Sequence, residues 1–356
     1  MILYGYVKNQ QSTFDDLDIN IIDVLVFSWL SYYDFSQCND RFPIKIEDLK
    51  DDKYFQTLKA YRSSAFPRIS RKIMKQMFVS NRYKDVEILD YAYIFDKKLI
   101  AQTAALALKV KDKIVIAFEG TDTTFLGWRE DFILSYKKEI PSYRFALDFY
   151  QNIINRYDNQ IILTGHSKGG NIAAYLLSTL DSVDRIEKVY SFDGPGFTTS
   201  IFDNNEDRLH RLVKIIPKSS LVGVLFSNES ELKIVKSYDV SILQHSPLKW
   251  QIKDNDFVYT KKRSLSGKYL DKAINSWINS INEEEKEKFS NILFDSLDSL
   301  DTDDFMKMAK NPPKHLSVLM KEYKKLNKED KKLVKYVVGK LIKSLISPNR
   351  IRHTDK

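Results

Sequence analysis

Cysteine occurs once in the 356 residues, at Cys38, so no disulfide can close within the chain. That usage fits a reducing compartment, and the expected location is the cytoplasm. Histidine is scarce too, with five residues at His166, His210, His245, His315 and His353. No apolar run approaches the roughly 18 residues of a membrane-spanning helix. The start, Met1 to Gly5, is not followed by the basic and apolar regions of a signal peptide. No metal-ligand spacing and no cofactor-binding motif is visible, so no cofactor and no metal are expected. Basic residues are not interleaved with aromatics in any known module, which argues against nucleic acid as a partner. Internal repeats and low-complexity linkers are also missing.

What is present describes a globular chain. Hydrophobic residues make up 43% and charged residues 29%, enough for a sizeable core. The net charge of +8 is unevenly spread. Residues 261–356 hold 22 Lys and Arg against 14 Asp and Glu, while residues 1–260 hold 34 of each. Within the basic part, residues 305–356 carry 15 positive and 4 negative side chains. Such a tail reads as a solvated helical face or as a peripheral contact with anionic membrane.

Apolar spacing predicts a helix within 14–35 and short helices over 38–85, where Arg62 reads as surface charge. Strands are expected at 91–95, 103–110 and 114–118, then a polar loop with Trp128 and Asp131, and a helix over 142–156. Further strands are expected at 160–164, 186–192 and 212–216, with edge strands at 222–226 and 232–235. From about 266 to 347 the pattern is helical, interrupted at Asn311-Pro312-Pro313. Strands alternating with helices predict an α/β fold, a mostly parallel sheet flanked by helices, over 1–260. Residues 261–356 form a helical, basic appendage.

The most specific stretch is Gly165-His166-Ser167-Lys168-Gly169, a G-x-S-x-G between a buried strand and a helix. In that context the motif is a nucleophile elbow, a turn tight enough to leave the serine hydroxyl at its tip. The helix that follows aims its first amides at the same point. A serine needs a base, and histidine is the usual one. His166 lies inside the elbow and cannot fold back onto its neighbour. His315 and His353 fall in the helical tail. His210 precedes a strand, at the wrong end of a parallel sheet. His245 lies in a loop after the last strands, where open α/β sheets handle ligands, and is preferred. For the acid, Asp193 directly follows the strand after the elbow and ranks first; it also reads as a turn-forming Asp-Gly. Asp239 stays open as an alternative. The oxyanion hole would use the amides of Lys168 and Thr121, and the Thr121 hydroxyl is a third possible donor. The Lys168 side chain would reach solvent or an acid such as Glu119.

These residues carry a resemblance. Ala117-Phe118-Glu119-Gly120-Thr121-Asp122, with Trp128 and Asp131, resembles a block of class 3 lipases, in which Glu119 stands where those enzymes have arginine. Gly165-His166-Ser167 is similar to their elbow. The chain more closely resembles the bacterial Mbeg1-like proteins, lipase-related α/β-hydrolases. Gly165 to Asn171, Phe192 to Phe197, Pro217 to Gly223, and Gln244-His245 followed by Trp250 carry that likeness. The N-terminal Asp23, Ser28 to Tyr32, and Trp277 extend it. The resemblance implies a serine hydrolase of acyl esters, a class that includes lipids, through an acyl-enzyme on Ser167. The lipase acid would fall near Ser219-Ser220, which offers no carboxylate. A thioesterase or peptidase with the same site, and a non-catalytic binding module with a relict elbow, are the alternatives.

Overall fold

The computed structural model describes residues 1–203, 205–226 and 230–347; His353 lies outside them. Eight strands form one sheet, ordered along the sequence. They are β1 (Ile44–Lys45), β2 (Glu87–Asp96), β3 (Ala101–Val110), β4 (Lys113–Phe118), β5 (Gln160–His166), β6 (Ile186–Phe192), β7 (Leu212–Pro217) and β8 (Leu232–Val235). β1 to β4 pair antiparallel, and β4 to β8 run parallel. A small hairpin, β9 (Ile252–Lys253) and β10 (Asp256–Phe257), follows.

The helices are α1 (Leu3–Asn9), α2 (Ile21–Leu30), α3 (Pro67–Met77), α4 (Phe125–Ile133), α5 (Pro141–Arg156) and α6 (Lys168–Thr179). Beyond the sheet lie α7 (Leu265–Asn279), α8 (Glu283–Asp298), α9 (Phe305–Met308), α10 (Pro312–Lys325) and α11 (Lys328–Ile346). The central strands show why their sequences are nearly all apolar. Val115 and Ile162 face a core shared with α1, α2 and α3. Their neighbours Ile114, Ile116, Ile161 and Leu163 face a second core shared with α5 and α6. Side chains alternate between two buried faces, so neither face can be polar.

Several expectations change. The N-terminal helix is shorter than 14–35 and buried nearly all round, because α1 and α3 pack beside it in the same core. Asn20 and Asp23 fix its start as a reciprocal cap. The expected polar loop around Trp128 and Asp131 is helix α4, capped by the Thr124 hydroxyl on the Gly127 amide. Its inward face holds Phe125 and Glu130, so its mixed composition hides the helical period. Residues 222–224 form a 3-10 turn instead of an edge strand. Pro312 does not merely break a helix; it starts α10, where a missing amide proton costs nothing.

The helices after residue 260 have small cores of their own, and both include α4. Phe125 packs with Phe294, Leu297 and Leu300, and Phe132 packs against Phe289 and Trp277. Asp304 also accepts hydrogen bonds from Thr123 and Ser64. No helix among the described residues is long and apolar enough to cross a membrane.

Candidate active site

The geometry starts at the end of β5. Ser167 sits at φ 57° and ψ −130°, a backbone region that is strained for any residue but glycine. A side chain at Gly165 would lie 2.1 Å from the Gly169 backbone, so strand and helix approach as closely as they do only because both are glycine. Ser167 is buried, with 6% of its surface exposed. α6 begins at the next residue, Lys168, and the amides of Gly170 and Asn171 donate to the Ser167 carbonyl at 2.9 and 3.3 Å.

Ser167 Oγ lies 3.0 Å from His245 Nε2, and His245 Nδ1 lies 2.7 Å from Asp193 Oδ2. The three side chains thus form a hydrogen-bonded line from the ends of β5 and β6 to the loop after β8. Asp193 is fully buried and also has positive φ, 49°. Its other oxygen, Oδ1, accepts from the Ser220 hydroxyl at 2.5 Å and from the Gly223 amide at 3.2 Å. The stretch after β7, where the lipase resemblance expects the acid, therefore supplies hydroxyl and amide donors to a carboxylate one strand away. Asp239 instead faces Lys249, 3.6 Å away. His210 is exposed before β7, bonded to the Asp207 carbonyl, and His315 bonds Asp301 and Met308.

The loop bearing His245 is held from several sides. Trp250 Nε1 donates to the Gln244 carbonyl at 2.8 Å, and the Gln244 side chain bridges the Ser219 amide and the Asp239 carbonyl. His166 Nε2 lies 2.8 Å from the His245 carbonyl oxygen, so it carries the proton and donates. Its Nδ1 then accepts from the Tyr32 hydroxyl at 2.9 Å. Burial, then the neighbouring His245, pushes the His166 pKa well below the ordinary histidine value, which keeps the ring neutral. The sequence reading gave His166 and Tyr32 no such part; their adjacency comes only from α2 packing behind β5.

The Gly120-Thr121 turn lies against the elbow. A side chain at Gly120 would meet the His166 carbonyl oxygen at 2.3 Å and Ser167 Cβ at 3.0 Å. The Thr121 hydroxyl does not stand free as a further donor: it donates to Asp131 Oδ2 at 2.5 Å. Burial raises the Asp131 pKa to about 6, against the lowering pull of Lys168.

Lys168 meets neither solvent nor Glu119. Its ammonium is fully buried, 2.7 Å from Glu130 Oε2 and 2.6 Å from the Gln102 carbonyl oxygen. Glu130 also accepts from the Ser142 hydroxyl at 2.6 Å and from the amides of Ser142 and Gln102, both at 3.1 Å. The Lys168 pKa is raised, because Glu130 and Asp131 outweigh its burial. Glu119 pairs with Arg62 at 2.7 Å. Arg62, expected at the surface, is drawn inward by that carboxylate and by the Ser31 carbonyl at 2.6 Å. Burial still raises Glu119 to about 7. Glu130 was missed because a glutamate in Trp-Arg-Glu-Asp reads as surface charge; the unusual lysine in the elbow was the available signal that a buried acid was needed.

The match to the Mbeg1-like family spans residues 77–295. The chain belongs to the Mbeg1-like family. In this Mbeg1-like protein the match covers the elbow, Asp193, His245, Thr121 and Glu130, while α1, α2, α10 and α11 lie beyond it. No curated protein matches the chain. Among solved structures it is similar to the Lip2 lipase of Yarrowia lipolytica, at 14% identity and a TM-score of 0.32, over 48% of this chain and 72% of that one. A nonglycosylated LIP2 lipase of the same yeast is similar at 18% identity and 0.31, over 42% and 66%. Lipase II of Rhizopus niveus is similar at 18% identity and 0.32, over 46% and 69%.

Proposed function

We propose that this Mbeg1-like protein is a serine hydrolase of carboxylic acyl esters, lipase- or esterase-like, with Ser167, His245 and Asp193 as its catalytic triad. The observation that carries the reading is the unbroken line from Ser167 Oγ through His245 to Asp193, at 3.0 and 2.7 Å. In the reaction, Ser167 attacks the ester carbonyl carbon as His245 Nε2 takes its proton. The carbonyl oxygen becomes an oxyanion facing the backbone amides of Thr121 and Lys168. His245 passes the proton to the leaving alkoxide, which departs as alcohol and leaves an acyl-Ser167. Water enters, gives a proton to His245 and attacks the acyl carbon; return of that proton to Ser167 releases the acid. Asp193 accepts from Nδ1–H throughout and balances the imidazolium.

Two features support an operating site over a relict one. Ser167 keeps its strained backbone, which a chain with no need of a nucleophile at the tip of this turn would gain by relaxing. Both Asp193 oxygens are engaged, one by His245 and one by Ser220 and Gly223. In the same reading residues 1–260 carry the chemistry and residues 261–356 are an appendage, of which α7 and α8 pack on α4.

The test is hydrolysis of p-nitrophenyl esters of increasing chain length by wild type and Ser167→Ala, with labelling by a fluorophosphonate probe. Wild type should label and turn over, and the variant should do neither. Equal rates in both, or a labelled variant, would remove Ser167 from the mechanism. Turnover of thioesters or peptides but not oxygen esters would change the substrate class and leave the triad in place.

A further inference from the structure

The loop that carries His245 also exposes an unusual amount of apolar surface. Tyr238, Val240, Ile242 and Leu243 are 60%, 70%, 56% and 58% exposed. Contiguous apolar exposure of this kind marks a surface made to be covered. The loop is not frayed, because Gln244, Pro247, Leu248 and Trp250 in the same stretch are buried. Its base is closed by the Tyr238 amide donating to the Lys249 carbonyl and by a bridge between Ser237 and Trp250. Ser241 holds positive φ, 52°, between Val240 and Ile242. A pinned loop with a strained turn thus keeps four large apolar side chains in water beside the site.

The charge around this tip is net positive. Lys236 and Lys249 flank the base, and both are exposed. Asp239 is the one carboxylate within 236–249, and Lys249 sits 3.6 Å from it. The apolar surface has a neighbour as well. The Gln244 side chain bonds the Ser219 amide, and Ser219 Oγ bonds Ser264 Oγ at 2.8 Å. There α7 begins, with Leu265 87% exposed. Further along α7, the Tyr269 hydroxyl donates to the Leu345 carbonyl, which brings in the end of α11 with exposed Ile342, Ile346 and Lys343.

We propose that this face, centred on Val240, Ile242 and Leu243, docks the protein on an anionic lipid surface. An apolar tip with Lys236 and Lys249 at its base is the order a bilayer surface asks for: acyl region first, charged headgroups next. A protein partner would instead require a satisfied polar rim around the apolar centre, whereas the charges of 236–249 sum to +1 and the neighbouring end of α11 adds exposed Lys343. The proposal rests on the esterase reading and deepens it, since the docked face would bring His245 and Ser167 to an ester held in a lipid layer.

The experiment is flotation of the full chain with vesicles of phosphatidylcholine alone and of equal parts phosphatidylcholine and phosphatidylglycerol. Wild type and Ser167→Ala should both float with the anionic vesicles, and less with the neutral ones. The exposed double variant Ile242→Ser, Leu243→Ser should bind at least about tenfold more weakly, because both apolar side chains leave the contact. Its hydrolysis of a short, soluble p-nitrophenyl ester should stay near wild type. Absence of wild-type flotation, or unchanged flotation of the double variant, overturns the proposal. A vesicle-free dimer that the double variant abolishes would assign the face to self-association and overturn it equally. Flotation of Ser167→Ala requires no chemistry, so a failed esterase reading and a failed docking face give different results.

Discussion

The Lys168–Glu130 pair gives a prediction that joins stability to catalysis. Both side chains are fully buried, 2.7 Å apart. Removing one member of such a pair strands a charge and costs about 3–5 kcal/mol. Lys168→Met leaves the Glu130 carboxylate with the donors of Ser142 and Gln102, so its cost should fall at the low end, about 3 kcal/mol. Glu130→Gln leaves a buried ammonium and turns an amide NH₂ toward those donors, so its cost should reach the upper end, about 5 kcal/mol. The double variant removes both charges and should recover about 2–3 kcal/mol of the sum. The pair also ties the first residue of α6 to α4, the helix that follows the Thr121 turn. Those two segments carry the proposed oxyanion amides. Losing one such donor costs about 10²–10³ in kcat, and a displaced donor should cost about tenfold or more, with KM little changed. Urea unfolding gives the free energies, and p-nitrophenyl ester kinetics give kcat. The raised Lys168 pKa means that the stabilisation is intact below the free-lysine value of 10.5 and is lost as pH rises from there through the higher folded value. Strictly additive single-variant costs, or large stability losses with unchanged kcat, would refute the reasoning.

Asp193→Asn should fold normally and lower kcat by about 10⁴, because the neutral amide favours the wrong His245 tautomer; steady-state kinetics and near-ultraviolet circular dichroism check the two halves. Asp131→Asn tests a pH effect. Burial raises the Asp131 pKa from 3.8 to about 6, so the folded state keeps the proton to higher pH than the unfolded chain does, and wild type loses stability as pH rises from about 4 to about 6. The variant should gain up to about 3 kcal/mol relative to wild type between about pH 4 and pH 7 in urea titrations; a difference that does not change with pH would contradict this. His166→Phe removes the donor to the His245 carbonyl and should lower kcat about tenfold with roughly 1–3 kcal/mol of lost stability, while labelling of Ser167 persists at a reduced rate.

The sequence made the sheet legible where periodicity and burial coincide. β4 to β7 are apolar runs bounded by polar turns, and α5 and α11 have clear helical spacing. The same reasoning missed α1 and read α4 as a loop, because α4 faces different neighbours on each side: the sheet, the Lys168 network and the helices after residue 260. Its apolar residues therefore follow no single stripe. Arg62 failed for a related reason. A lone arginine in a polar stretch is usually exposed, and its partner Glu119 lies 57 positions away, brought near only by β4 and the turn after α2. His245 could be singled out because only five histidines needed sorting and fold order set most of them aside, and the fold brings its Nε2 to 3.0 Å from Ser167 Oγ.

The acid was hard to read for a physical reason. Asp193-Gly194 looks like a turn, and it is one: Asp193 has positive φ, and its amide donates to the Ile215 carbonyl at 2.7 Å. A turn aspartate and a triad aspartate are usually treated as competing explanations. In the proposed triad they are the same residue, because the chain must reverse at the end of β6 and Asp193, at positive φ there, lies 2.7 Å from His245 through Oδ2. Ser167 solves the same problem one strand away, with φ 57° at the end of β5. Two adjacent parallel strands each end in a non-glycine residue with positive φ, and His245 spans the gap between their side chains. The turn after β7 completes the arrangement by occupying Asp193 Oδ1 with Ser220 and Gly223, which leaves Oδ2 to the imidazole. Sequence alone gives the turn-forming residues but not which strand end lies beside which, so the strained serine was recognisable from its motif and the equally strained aspartate was not.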